Sequence, residues 1–273
     1  MVLNQYLVKF FIPMGILYTY QVSSSPDILK GFFTAMAVDF CIVISLILLS
    51  SLLRKPLKMD GVEHASVIYN NCGGLILSII GGVLGEDCAV YALAYIAVNN
   101  ILMWTHGKML VCNRNTMSAR DFYTNPVLYA IIVGGLGFVL NIRWPSVINS
   151  ALSIGGTMQG PMGMMVVGMI MGELDLKKSL VKKRTWLISF VRLILLPVPV
   201  ILLLKLINPL GDIYNGYKIS VAIVMAASTP SANSIVQIAQ FYGGDSDYAS
   251  EINIVSTVLC ILTMPLMVML FEL

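Results

Sequence analysis

The stretch "VMAASTPSANSIVQIAQFYGG", Val224 to Gly244, decides how this chain is read. Apolar sequence enters it from one side and resumes beyond it. Its centre is Ser228, Thr229, Pro230, Ser231, Ala232, Asn233 and Ser234, six of seven being small polar or helix-breaking residues. Proline deletes one backbone donor and clashes with the preceding turn of a helix. A membrane offers no water to satisfy the groups so freed. One explanation is a simple proline kink whose freed carbonyls are patched by hydroxyls. The other is a helix interrupted on purpose to form a binding site, and five hydroxyl or amide side chains beside the proline exceed what patching needs.

That reading presumes a membrane, which the composition supports. The 273 residues are 58% hydrophobic and 11% charged, with mean hydropathy +0.84. Soluble domains average about 25% charged residues, so there are too few charges here to cover a water-facing surface. A net charge of +3 calls for no nucleic-acid partner. The cysteines Cys41, Cys72, Cys88, Cys112 and Cys260 lack CxxC spacing, so neither a disulfide framework nor a zinc site is expected. No cofactor is implied. Met1 runs at once into an apolar segment without a charged leader, so no signal peptide is expected.

At roughly 20 residues per crossing, nine helices fit the chain, at about 3–20, 28–53, 64–84, 87–112, 126–142, 146–172, 185–207, 216–242 and 247–271. They leave room for one membrane domain and no soluble one. Alternate loops hold eleven basic residues (such as Arg54, Lys55, Lys183 and Arg184) against four (Lys30, Arg143, Lys205 and Lys218). The basic set belongs in the cytoplasm, which puts the C-terminus outside.

A second interruption lies in the third helix, "YNNCGGLILSIIGG", with Asn70, Asn71, Gly73, Gly74, Ser78, Gly81 and Gly82. Interrupted helices in matching positions of two halves point to a transporter's binding site. Around a cytoplasmic connection at 113–125, residues 126–273 run plain, plain, plain, broken, plain, and residues 1–112 run plain, plain, broken, plain. With one helix absent at the start, the two blocks match as inverted repeats.

The quoted stretches are similar to the auxin efflux carrier family, in a bacterial branch. "STPSANSIVQIAQFYGGDSDYASEINIVSTVLCILTMPL" resembles that family's last broken helix and final helix; "YNNCGGLILSIIGGVLG" resembles its first broken helix and "NNILMWTHGKMLV" the one after. "FIPMGIL" and "VRLILLPVPV" resemble its second and eighth helices. The resemblance implies ten helices with the first missing here, a bacterial inner-membrane location, and a homodimer formed through a static scaffold beside a mobile bundle. It implies broken helices crossing near the midplane. Where the family has Gly-x-Pro at the first crossing, this chain reads Ile76, Leu77, Ser78.

Half-helix N-termini carry partial positive charge. With Asn70, Asn71, Gly73, Ser78, Thr229, Pro230, Ser231, Asn233 and Ser234 at the breaks and no acid among them, the expected substrate is a small organic anion carried by uniport or efflux. A sodium- or proton-coupled carrier is the nearest alternative, and a non-transporting remnant another. An enzyme is not expected, for neither HExxH nor GxSxG occurs. Asp39, mid-helix in "MAVDFCIV", either couples a proton or hydrogen-bonds a neighbouring helix while neutral. Arg192 is read as snorkelling to the interface. His64, His106 and Glu251 are read as interfacial, the Met- and Gly-rich run 158–172 as helix packing, and Gln159 and Pro161 as minor pathway-lining candidates.

Overall fold

The computed structural model describes residues 2–22, 25–71, 89–113, 125–172, 182–207 and 216–273. It is all helical apart from one isolated backbone bridge among these residues. The described residues form ten helices, numbered here in chain order. α1 comprises Val2–Tyr6, a π segment Leu7–Phe11, and Ile12–Thr19. α2 is Pro26–Leu57 and α3 is Gly61–Ile68. α4 comprises Ala89–Leu102, a π segment Met103–Gly107, and Lys108–Val111. α5 is Pro126–Val139 and α6 is Ser146–Gly172. α7 comprises Lys183–Phe190, a π segment Val191–Leu195, and Pro197–Ile207. α8 is Gly216–Ala227, α9 is Asn233–Tyr242 and α10 is Ser246–Glu272. The spans Pro26–Leu57, Lys183–Leu206 and Ser246–Glu272 are each long and apolar enough to cross a membrane, and Pro126–Val139 and Gly216–Ala227 are shorter apolar helices.

Local chemistry sets most of the ends. Ser25 caps α2 by accepting from the Ile28 amide at 3.3 Å, with Pro26 in the first turn where its missing N–H costs nothing. Asp60 and Glu63 form a reciprocal capping box on α3, with Glu63 N–H to Asp60 Oδ1 at 2.7 Å and Asp60 N–H to Glu63 Oε2 at 3.1 Å. Asn125 caps α5 and Asp245 caps α10. α9 ends at Gly243, whose φ of 82° is the left-handed turn that glycine adopts without strain.

Part-buried pairings bring the starts of α3, α7 and α10 to one end of the molecule. Arg184 grips Glu63 with Nε and Nη2, each at 2.6 Å, and the Tyr248 hydroxyl donates to the same carboxylate at 2.7 Å. Lys182 pairs with Glu251 at 2.7 Å, so Glu251, 3% exposed, is the buried partner of an ion pair at that end and not a side chain turned outward there. At the other end the Trp144 amide donates to Gln21 Oε1 at 3.0 Å and Lys205 Nζ to the Leu270 carbonyl at 3.2 Å.

α1 packs between α5 and α6, α2 lies along α4, and α10 packs against α7, α8 and α9. Small residues set the α1–α6 approach, as in many membrane helix pairs. A Cβ on Gly156 would lie 2.9 Å from the Gly15 Cα, backbone that cannot give way. Gly156→Leu is therefore expected to destabilise the protein by about 1–3 kcal/mol, read as a lowered thermal unfolding midpoint. Gly160→Leu, on the same helix but facing open space, should leave that midpoint unchanged.

Candidate functional site

The two interruptions meet. α8 stops at Ala227, where Ser228 Oγ donates to the Val224 carbonyl and Thr229 Oγ1 to the Ala226 carbonyl, each at 2.7 Å. The chain is then extended to Ala232 before α9 begins. α3 stops at Ile68, and Tyr69 is likewise extended, with φ −93° and ψ 134°. The extended pieces lie antiparallel, with Asn70 opposite Ser231. The Asn71 amide donates to the Pro230 carbonyl at 2.8 Å and the Ala232 amide to the Tyr69 carbonyl at 3.2 Å. Each break thus satisfies backbone that the other exposes, which is how irregular chain survives away from water. Patching by the hydroxyls of Ser228 and Thr229 accounts for the end of α8 alone.

Neighbouring helices hold the junction in a paired way. From α4, Asn99 Nδ2 donates to the Asn70 carbonyl at 3.3 Å; from α10, Asn253 Nδ2 donates to the Ser231 carbonyl at 2.7 Å. Each central residue of the bridge therefore receives one asparagine from the helix that follows its own break. Asn70 Nδ2 donates to the Tyr95 hydroxyl at 2.8 Å and the Ala226 carbonyl at 2.7 Å, and the Ser231 amide donates to Ser256 Oγ at 3.2 Å.

Arg192 ties both breaks together. It lies in the π segment of α7 and is 0% exposed, so it does not snorkel. Nine residues past the start of α7, it lies about 14 Å along the helix, close to half of a roughly 30 Å hydrocarbon core. That depth, and the carbonyls waiting around it, explain the departure from the sequence expectation. Nη1 donates to Val67 and Ile68 at 3.2 and 3.5 Å, Nη2 to Ala227 and Thr229 at 2.8 and 3.1 Å, and Nε to Thr229 at 3.2 Å. These carbonyls belong to the C-terminal ends of α3 and α8. Each helix end carries about half a negative charge, so the two sum to about one, which the guanidinium offsets.

What stays open is the start of α9. Its N-cap, Ala232, is 2% exposed and has no side chain to receive the first amides; alanine is among the poorest residues at this position. Asn71, Asn233 and Ser234 beside it are part-exposed. Gly163 of α6 faces the same place: a Cβ there would lie 3.2 Å from Gln237 Nε2 and 3.7 Å from Asn233 Nδ2. Asn4 of α1 closes one side, its Nδ2 donating to the Gln237 carbonyl at 3.1 Å. Asn70 Oδ1, Asn99 Oδ1 and Ser231 Oγ are buried without hydrogen-bond partners among the described residues.

A family model described as membrane transport protein matches residues 1–119 and 110–268, nearly the whole chain. The chain belongs to this membrane transport protein family. The auxin efflux carrier resemblance drawn from the sequence is in keeping with it. Among curated proteins no relative matches the transporter.

The remaining candidates distribute unevenly over the transporter. Gly73 and Ser78, with Ile76 and Leu77, lie outside the described residues; the extended chain that pairs with the second break is Tyr69 to Asn71, ahead of them. Thr229 turns its hydroxyl into α8 and Asn70 spends both amide hydrogens inside the junction. Asp39 is fully buried on α2, and neither carboxylate oxygen has a partner among the described residues. His64, 2% exposed, is a buried residue of α3, and His106 Nδ1 lies 2.8 Å from the Tyr69 hydroxyl, at the edge of the junction. Sequence reading did not place Tyr95, Asn99, Asn253 or Ser256 at the junction, although an asparagine within an apolar span is itself a signal.

Proposed function

We propose that this transporter moves small organic anions across the membrane, with the substrate carboxylate held at the start of α9 near the midplane. The observation that carries the reading is the bare helix end: buried, uncapped, and flanked by the part-exposed Asn71, Asn233 and Ser234. A helix N-terminus with unsatisfied amides favours an anion. Arg192 offsets the opposing C-terminal charge, so the positive end of α9 is left for the substrate. Pro230 and Ser231 set the geometry, while Asn70 and Thr229 serve the junction itself. On this reading the blocks 1–112 and 126–273 are inverted repeats, supported by the matched Asn99 and Asn253 contacts. The basic loops face the cytoplasm of a bacterial inner membrane, with the C-terminus outside.

With the cell interior negative, outward movement of a mono-anion gains about 2.3 kcal/mol per 100 mV, roughly a fifty-fold concentration ratio. Uniport then needs no ion partner. Proteoliposomes holding radiolabelled mono- and dicarboxylates, clamped with potassium and valinomycin, test this. Flux should follow the potential with no sodium or proton gradient. Flux that strictly requires either gradient would replace this reading with ion coupling; saturable binding without flux would make the chain a remnant.

Ion coupling is the second reading, and Asp39 is what favours it. A buried carboxylate without a partner among the described residues is costly in a membrane interior and is a candidate for carrying a proton. Under that reading Asp39→Asn uncouples flux from the proton gradient; under uniport the substitution leaves the voltage dependence unchanged.

A further inference from the structure

A groove on the outer face of the bundle has the dimensions and chemistry of a lipid site. It lies between α7 and α10, with a volume of about 460 Å³, and its wall includes Trp186, Phe190 and Ile194 from α7 and Leu259 and Thr263 from α10. Trp186 and Phe190 are 45% and 51% exposed, so the slot opens outward.

The Lys182–Glu251 pair sets the two helices level at one end. Both run from there in the same direction, and twelve residues further along lie Ile194 and Thr263. That distance is about 18 Å of helix rise, near the roughly 15 Å hydrocarbon depth of one leaflet. The mouth of the groove is Lys183. Its neighbours are both committed, Lys182 to Glu251 and Arg184 to Glu63. Lys183 pairs with no carboxylate among the described residues and is exposed over the slot. An unpaired cation at the headgroup level above one leaflet's depth of aromatic and aliphatic wall matches one molecule type, an amphiphile with a negative head.

We infer that this groove binds an anionic phospholipid of the leaflet on the basic-loop side, its phosphate on Lys183 and one acyl chain along Trp186, Phe190 and Leu259. None of the groove's lining residues is among those assigned to the substrate, so the inference does not depend on that assignment.

Trp186 supplies the probe. In a Trp104→Phe, Trp144→Phe background it is the sole tryptophan. The protein is placed in phosphatidylcholine vesicles carrying increasing fractions of lipid with brominated acyl chains, either phosphatidylglycerol or phosphatidylcholine. Brominated phosphatidylglycerol should quench Trp186 at about five-fold lower mole fraction, the preference one lysine near the surface provides. Lys183→Gln should make the two curves coincide, and Leu259→Trp, filling the slot, should reduce co-purified lipid. Coincident curves in the Lys183 protein, meaning bulk contact only, would overturn the inference. If the double tryptophan variant does not fold, native mass spectrometry of the unaltered protein with the two lipids decides between the same outcomes: retention of phosphatidylglycerol over phosphatidylcholine supports the site, and equal retention overturns it.

Discussion

Replacing Asn233 with aspartate is expected to abolish organic-anion transport and leave the protein folded. Asn233 is the first residue of α9, beside an N-cap that offers no side-chain acceptor. A carboxylate in a helix's first turn is favourable by about 0.3–1 kcal/mol, so the variant should melt at or above the temperature of the parent. The same carboxylate would occupy the positive end that we assign to the substrate. Like charges brought together at a binding surface cost several kcal/mol, and each 1.4 kcal/mol is a factor of ten. Initial flux should fall at least about 100-fold. Asn233→Ser, a neutral hydrogen-bonding replacement, should stay within about ten-fold of the parent. An aspartate variant that carries carboxylates at near-parental rates would show that the substrate does not sit there.

Arg192→Met is expected to lose both stability and transport. Methionine matches much of the apolar stem but leaves the carbonyls of Val67, Ile68, Ala227 and Thr229 without the guanidinium. Each buried acceptor stripped of its partner costs about 1–3 kcal/mol, and with some relaxation the total should still exceed about 3 kcal/mol. Arg192→Lys should rescue only in part, because one ammonium cannot reproduce a planar fork reaching the ends of two helices. Thermal unfolding in detergent measures the first effect and proteoliposome flux the second. A methionine variant that melts within a degree or two of the parent would mean that the guanidinium is not what joins the breaks.

The sequence carries the architecture well and the junction partly. Long apolar runs place the spans, and the run Ser228 to Ser234 locates the second break to within a residue or two of where α8 and α9 part. The first interruption is expected within "YNNCGGLILSIIGG", and α3 ends just ahead of that stretch, at Ile68. Asn70 and Asn71 are only weak helix breakers; the stop is made by strand-like pairing of Asn70 to Ser231, 161 positions away. Arg192 departs from its sequence expectation for a related reason. Position along a helix suggests snorkelling, but the carbonyls that hold the side chain come from α3 and α8, and no pattern within α7 names them. Long-range polar contacts of this kind are invisible to periodicity.

Two interrupted helices meeting at Asn70 and Ser231 are the foundation of the proposed site, and a cross-link tests that meeting directly. Residues facing each other in the wider register of an antiparallel pair have Cα atoms about 4.5 Å apart, within the roughly 4.4–6.8 Å that a disulfide spans. With Cys41, Cys72, Cys88, Cys112 and Cys260 replaced by alanine, the pair Asn70→Cys and Ser231→Cys is oxidised mildly in native membranes and mapped by peptide mass. The prediction is near-complete bond formation in protein that still unfolds cooperatively. A cooperatively folded double variant in which the two thiols stay free would contradict the crossing.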